Sequence, residues 1–104
     1  MITNEIQKIS DTIAAALSPL QIWLFGSFAR NAAKNDSDYD FYIVMPDDSG
    51  DHIALTQKAY KSIRGLKRRS VDIVLGYESG FKKSVQEPTL EKQVINEGVL
   101  LYAL

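Results

Sequence analysis

Apolar and polar positions along the chain alternate between two rhythms. Ile6, Ile9, Ile13 and Leu17 recur at helical spacing behind Thr3 or Asn4, either of which can cap a helix. Ser18-Pro19 ends that helix, because the residue before a proline is pushed out of helical geometry. Gln21 to Phe25 is short and rich in branched and aromatic residues, which predicts a strand. Ser27 to Ala33 reads as a short helix and Lys34-Asn35-Asp36-Ser37 as a turn. Tyr39 to Met45 is apolar on both faces, so it predicts a central strand covered on both sides. A helix from Asp51 to Leu66 follows, with Ile53, Tyr60 and Ile63 on or near one stripe. Ser70 to Gly76 reads as a third strand. The stretch from Gly76 to Gln86 is weakly determined, with Phe81 able to seat a short helix. Thr89 can cap a helix from Leu90 to Glu97, and Val99 to Leu104 is apolar enough for a last strand or a docking tail. Helices and strands in alternation imply an α/β layered fold with helices packed on a sheet.

Composition narrows the picture. At 104 residues the chain is expected to be one domain, residues 1–104, with a core that needs no staples. It has no cysteine, which excludes a disulfide framework and any thiolate metal site. Nothing in it is long and apolar enough to span a bilayer or resembles a signal peptide, so no membrane partner and a cytoplasmic location are expected. A net charge of −1 gives no global pull toward nucleic acid. Lys58, Lys61, Arg64, Lys67, Arg68 and Arg69 form a basic stretch. Without interleaved aromatics for base stacking, it reads as a solvated helix face and a charged turn. His52, at the first turn of a helix, reads as a solvated surface residue.

The informative polar residues lie between the first two strands. Asp38 and Asp40 are two apart at a strand start, so they share a face and repel unless a cation or solvent stabilises them. Gly26-Ser27, where a strand gives way to a helix, offers backbone N–H groups to an anion. Asp72 is an acidic residue within an apolar strand and is expected to be buried. Each has a plainer reading: Asp36-Ser37-Asp38 as a turn cap, Asp40 as merely exposed, Ser27 as an ordinary helix cap. Arg30 suits a triphosphate and an exposed helix face equally well.

Together, Gly26-Ser27-Phe28-Ala29-Arg30 and Ser37-Asp38-Tyr39-Asp40 resemble the signature of the DNA polymerase beta-like nucleotidyltransferases, a Gly-Ser and an Asp-x-Asp ten residues apart. Ser70-Val71-Asp72-Ile73-Val74-Leu75 fits the family's later carboxylate strand. The longer pattern is similar to the minimal nucleotidyltransferase antitoxins that accompany HEPN-domain toxins. Asn31 departs from the family's usual glycine; if the position needs a positive φ, asparagine is the least costly alternative. The resemblance implies a mixed sheet of about four strands and Mg²⁺-dependent transfer of AMP from ATP to a hydroxyl. It further implies that the acceptor is a tyrosine of a HEPN-type ribonuclease toxin. Asp38 and Asp40 would hold metal, Asp72 would be a further ligand or the base, and Gly26, Ser27 and Arg30 would meet the nucleotide. Two other readings stay open: an antitoxin that neutralises by binding alone, and a transferase for a small hydroxyl compound such as an aminoglycoside.

Overall fold

The computed structural model describes residues 2–104. Helix α1 (Asn4–Leu17) starts where the Thr3 side chain accepts a hydrogen bond from the Ile6 amide, 3.2 Å. It ends where Ser18 turns left-handed, φ 53°. Strand β1 (Gln21–Phe25) leads into α2 (Gly26–Ala29), then β2 (Tyr39–Met45), α3 (His52–Ser62) and β3 (Val71–Tyr77). Helices α4 (Glu78–Ser84) and α5 (Leu90–Glu97) and strand β4 (Val99–Ala103) complete the order. Among the described residues no helix is long and apolar enough to cross a membrane.

The sheet is mixed, in the order β3-β2-β1-β4. β1 pairs antiparallel with β2 and with β4, while β2 pairs parallel with β3 through the crossover that α3 provides. β2 is therefore internal, as its unbroken apolar pattern predicts.

One face of the sheet presents Ile22, Leu24, Phe41, Ile43, Ile73 and Leu75 to Ile6, Ile9 and Ile13 of α1 and to Ala59 and the following Ile63 on the α3 side. The other presents Tyr42 and Val44 to Phe81 of α4 and Val94 of α5. The period-2 alternation of strand side chains decides which residue joins which layer. Tyr42 also donates to Glu91 Oε2, 2.8 Å, and its hydroxyl oxygen lies where a side chain on Gly76 would stand.

Three expectations need correction. α2 is one turn, not the longer helix read from Ser27 to Ala33, because Asn31 adopts φ 58° and breaks it. That positive φ is the one asparagine tolerates best among non-glycine residues. In α3 the buried residue is Ala59, followed by Ile63, whereas Ile53 is 66% exposed and Tyr60 sits at the rim. The Tyr60 hydroxyl instead accepts a hydrogen bond from the Ile73 amide, 2.9 Å, on the outer edge of β3. His52 is more than a solvated surface residue, since its Nε2 lies 2.8 Å from the Leu75 carbonyl oxygen and ties the start of α3 to β3.

Candidate active site

The antiparallel register between β1 and β2 sets Phe25 opposite Asp40. The chain therefore leaves β1 directly above the Asp40 side chain. Gly26, at φ 75°, makes the turn, and a Cβ there would stand 2.2 Å from Asp40 Oδ2. Glycine is required twice over, for the left-handed backbone and for the close approach of the carboxylate. Ser27 and Phe28 follow in the single turn of α2, whose N-cap Phe25 supplies no side-chain hydrogen bond. Four residues make little of a dipole, so the turn's value to an anion lies in its unclaimed N–H groups.

The parallel register between β2 and β3 places Asp40 opposite Asp72. Neighbouring strands run about 4.8 Å apart, so the two carboxylates stand side by side on one face. Burial, then the charge of Asp72, then that of Asp38 raise the Asp40 carboxyl from its ordinary 3.8 to about 6, while Arg30 pulls the other way. Asp38, Asp40, Asp72 and Arg30 thus share one electrostatic neighbourhood, bordered by Gly26. Arg30 is only loosely held: its guanidinium lies 3.8 Å from Glu97 of α5, and both side chains are well exposed. Such a pair contributes little to stability.

Asp72 is exposed, not buried as its strand pattern suggests. It points to the same face as Tyr42 and Val44, but the helices on that side cover the other end of the sheet. Among the described residues no three acidic or histidine side chains form a ready metal cage. The donor set still fits a hard cation. Mg²⁺ commonly takes one or two protein carboxylates and completes its shell with water and substrate phosphates. A half-buried carboxylate raised by burial and like charges is one that a cation would relieve.

The basic stretch predicts a solvated Arg69, and here the structure differs most. Its Nη1 donates to the carbonyl oxygens of Asn35 (2.8 Å), Ser37 (2.8 Å) and Lys34 (3.2 Å). Its guanidinium also lies over the rings of Phe28, 5.0 Å, and Tyr39, 5.7 Å. Behind the strand start, the Tyr39 hydroxyl donates to Glu5 Oε1, and Glu5 Oε2 accepts from the Arg68 amide. The Tyr39 bond is the main reason the Glu5 carboxyl falls below its ordinary range, and burial is the main reason the Tyr39 phenol rises above its own. The only hint of this in the sequence is the arginine just before a strand that carries an aspartate.

Residues 7–104 match the family described as "Polymerase beta, Nucleotidyltransferase". The chain belongs to this family and is a nucleotidyltransferase. Among solved structures it is similar to a crystal structure of a toxin–antitoxin with AMP-PNP, with TM-score 0.66 and 26% identity over 98% of this chain and 75% of that one. It is also similar to a mutant form of the toxin–antitoxin MntA–HpeT, with TM-score 0.67 and 24% identity over 98% and 75%. At that identity the second likeness concerns the fold alone. No curated protein matches the chain.

Proposed function

We propose that this nucleotidyltransferase is an antitoxin that transfers AMP from ATP to a tyrosine hydroxyl of a HEPN-type ribonuclease toxin, with Mg²⁺ as its cofactor. The observation that carries the reading is the register that sets Asp40 beside Asp72, with Gly26 packed directly against Asp40. The similar crystal structure of a toxin–antitoxin with AMP-PNP supports a toxin as partner and a nucleoside triphosphate as donor. The family resemblance supports the HEPN class and the tyrosine.

In this reading Asp38 and Asp40 hold the metal, and Asp72 completes the site as a ligand or as the base. Bound Mg²⁺ would neutralise charge on the phosphate oxygens of the reacting nucleotide. The N–H groups and hydroxyl at Ser27 receive the terminal phosphates, and Arg30, close to Asp40 and only weakly held by Glu97, is free to swing toward them. The acceptor oxygen attacks the α-phosphorus as its proton passes to a carboxylate. The bond from that phosphorus to the bridging oxygen breaks, and pyrophosphate leaves. The face that carries Asp72 is open, so a protein-borne hydroxyl can approach from that side.

Incubation with the co-expressed partner and α-labelled ATP tests this. Label is expected on a partner tyrosine, and Asp72→Asn should lower its incorporation by orders of magnitude, because each 1.36 kcal/mol is about tenfold. Full neutralisation of the partner with no label attached would sink the proposal.

A further inference from the structure

We propose that Arg69 is the positioning residue for the Asp-x-Asp strand: with Ser70 it fixes both peptide groups that flank Asp38. The inference rests on the reading of Asp38 and Asp40 as the metal-holding pair.

The Ser37 carbonyl belongs to the peptide before Asp38, and it accepts a hydrogen bond from Arg69 Nη1 at 2.8 Å. The Tyr39 amide belongs to the peptide after Asp38, and it donates to the Ser70 carbonyl at 2.9 Å. One dipeptide therefore clamps the backbone on each side of Asp38, which leaves its φ and ψ little freedom. Asp38 itself stands outside β2 and has no ladder partner of its own. Without the clamp its direction would be set by a surface turn.

The same guanidinium reaches back to Asn35 and Lys34, and the turn is closed further by the Ser37 amide donating to the Lys34 carbonyl (3.1 Å) and the Lys34 amide donating to Ser37 Oγ (2.8 Å). Its flat face meets Phe28 of the Gly-Ser turn and Tyr39 of the strand, whose rings pack edge-on at 4.7 Å. Arginine alone offers a planar cation that can stack on rings while its edge donates several hydrogen bonds. Lysine keeps the charge and loses the planar face that stacks on Phe28 and Tyr39. Arg69 thus joins the nucleotide turn, the acidic strand start and β3 from behind, without touching the reacting groups.

The test is Mn²⁺ affinity of the free protein, read from the electron-spin signal of unbound ion well below the melting temperature. Residues that orient metal ligands typically change affinity by about 10–100-fold when removed. Arg69→Ala is expected to weaken Mn²⁺ binding by about tenfold or more on this scale, and added guanidinium ion is expected to restore part of the loss. Arg68→Ala, one residue away, should bind Mn²⁺ like the wild type. If Arg69→Ala does not fold, Arg69→Lys carries the measurement and should show a smaller loss. Asp40→Asn separates the metal site from its support. If it binds Mn²⁺ normally, the metal reading fails and takes this inference with it. If it loses Mn²⁺ while a folded Arg69 variant keeps wild-type affinity, Arg69 is only a brace for the fold. A lower melting temperature with unchanged Mn²⁺ affinity also overturns the proposal.

Discussion

The two faces of the sheet are built from the same strands and do opposite things. On the α1–α3 side, aliphatic residues with Phe41 and Tyr39 are buried along the strands' length. On the α4–α5 side, four buried residues form a short cluster around Tyr42, and the strands run on beyond it to Asp40 and Asp72. One face makes the protein stable; the other is left short, and the chemistry occupies what the helices do not cover. Burial and the charges of Asp72 and Asp38 disfavour the ionised Asp40 carboxyl, and the fully packed α1–α3 layer offsets that cost.

The largest effect should come from adjacent residues of β2 that point to opposite faces. Phe41→Ala should destabilise the protein by about 3–5 kcal/mol in urea unfolding. Tyr42→Phe removes only the hydrogen bond to Glu91 and should cost about 0.5–1.5 kcal/mol. The like-for-like comparison is Tyr42→Ala, which should cost less than Phe41→Ala; equal costs for these two truncations would mean that the α4–α5 side is as much a foundation as the other.

Gly26→Ala comes next. It adds both left-handed strain and a collision with Asp40, so nucleotidyl transfer should fall at least about a hundredfold, or roughly 2.7 kcal/mol. Gly65→Ala shares the strain, φ 81°, but has open space around it. It should cost about 1–2 kcal/mol of stability and leave transfer intact. Labelled-ATP assays on both variants separate backbone strain from the loss of the carboxylate's place.

Asp40→Asn should stabilise the fold while disabling the site. The folded carboxyl, near 6, holds its proton more tightly than the unfolded one near 3.8, so wild-type stability rises as pH falls through that window. Above pH 6 the charged form is disfavoured in the folded state, and asparagine removes that cost. A gain of a few degrees in melting temperature at pH 7.5, limited by solvent screening, should shrink toward pH 4.5. A constant difference across that range would show that burial and like charge do not act on Asp40.

The smallest change tests the stable face itself. Ser10 in α1 is fully buried, and its hydroxyl has no hydrogen-bond partner among the described residues. Ser10→Ala should raise stability by about 1 kcal/mol in the same urea titration. A loss would point to a partner for that hydroxyl, such as an internal water.

Strands are easier to read in the sequence than surfaces. Gln21–Phe25 and Tyr39–Met45 are bounded by turn residues and packed with branched or aromatic side chains, so local chemistry fixes their ends. The ten-residue interval between Ser27 and Asp38 likewise points to a shared site without any knowledge of register. What stays hidden depends on which layer covers which end of the sheet. Asp72 looks buried in the sequence because its neighbours Val71 and Ile73 are, yet they face the other way. Ile53 fits a helical stripe that points outward, and Arg69 sits in a basic run whose other members give no sign that one of them stacks on two rings. These are facts of tertiary placement, and no local period encodes them.

The pairing of β1 with both β2 and β4 has a temporal side. β1 and β2 are joined through residues 26–38, but the other flank of β1 is closed by β4, far later in the sequence. As a ribosome releases the protein from its N-terminus, the α1–α3 layer can assemble on β1, β2 and β3 while α5 and β4 are still unmade. During that interval β1 has one open rim, with backbone donors and acceptors ready to recruit any extended peptide. The flank of β1 is therefore most adhesive before β4 is made, so a nascent chain that stops short of β4 should capture extended peptides that the finished sheet does not.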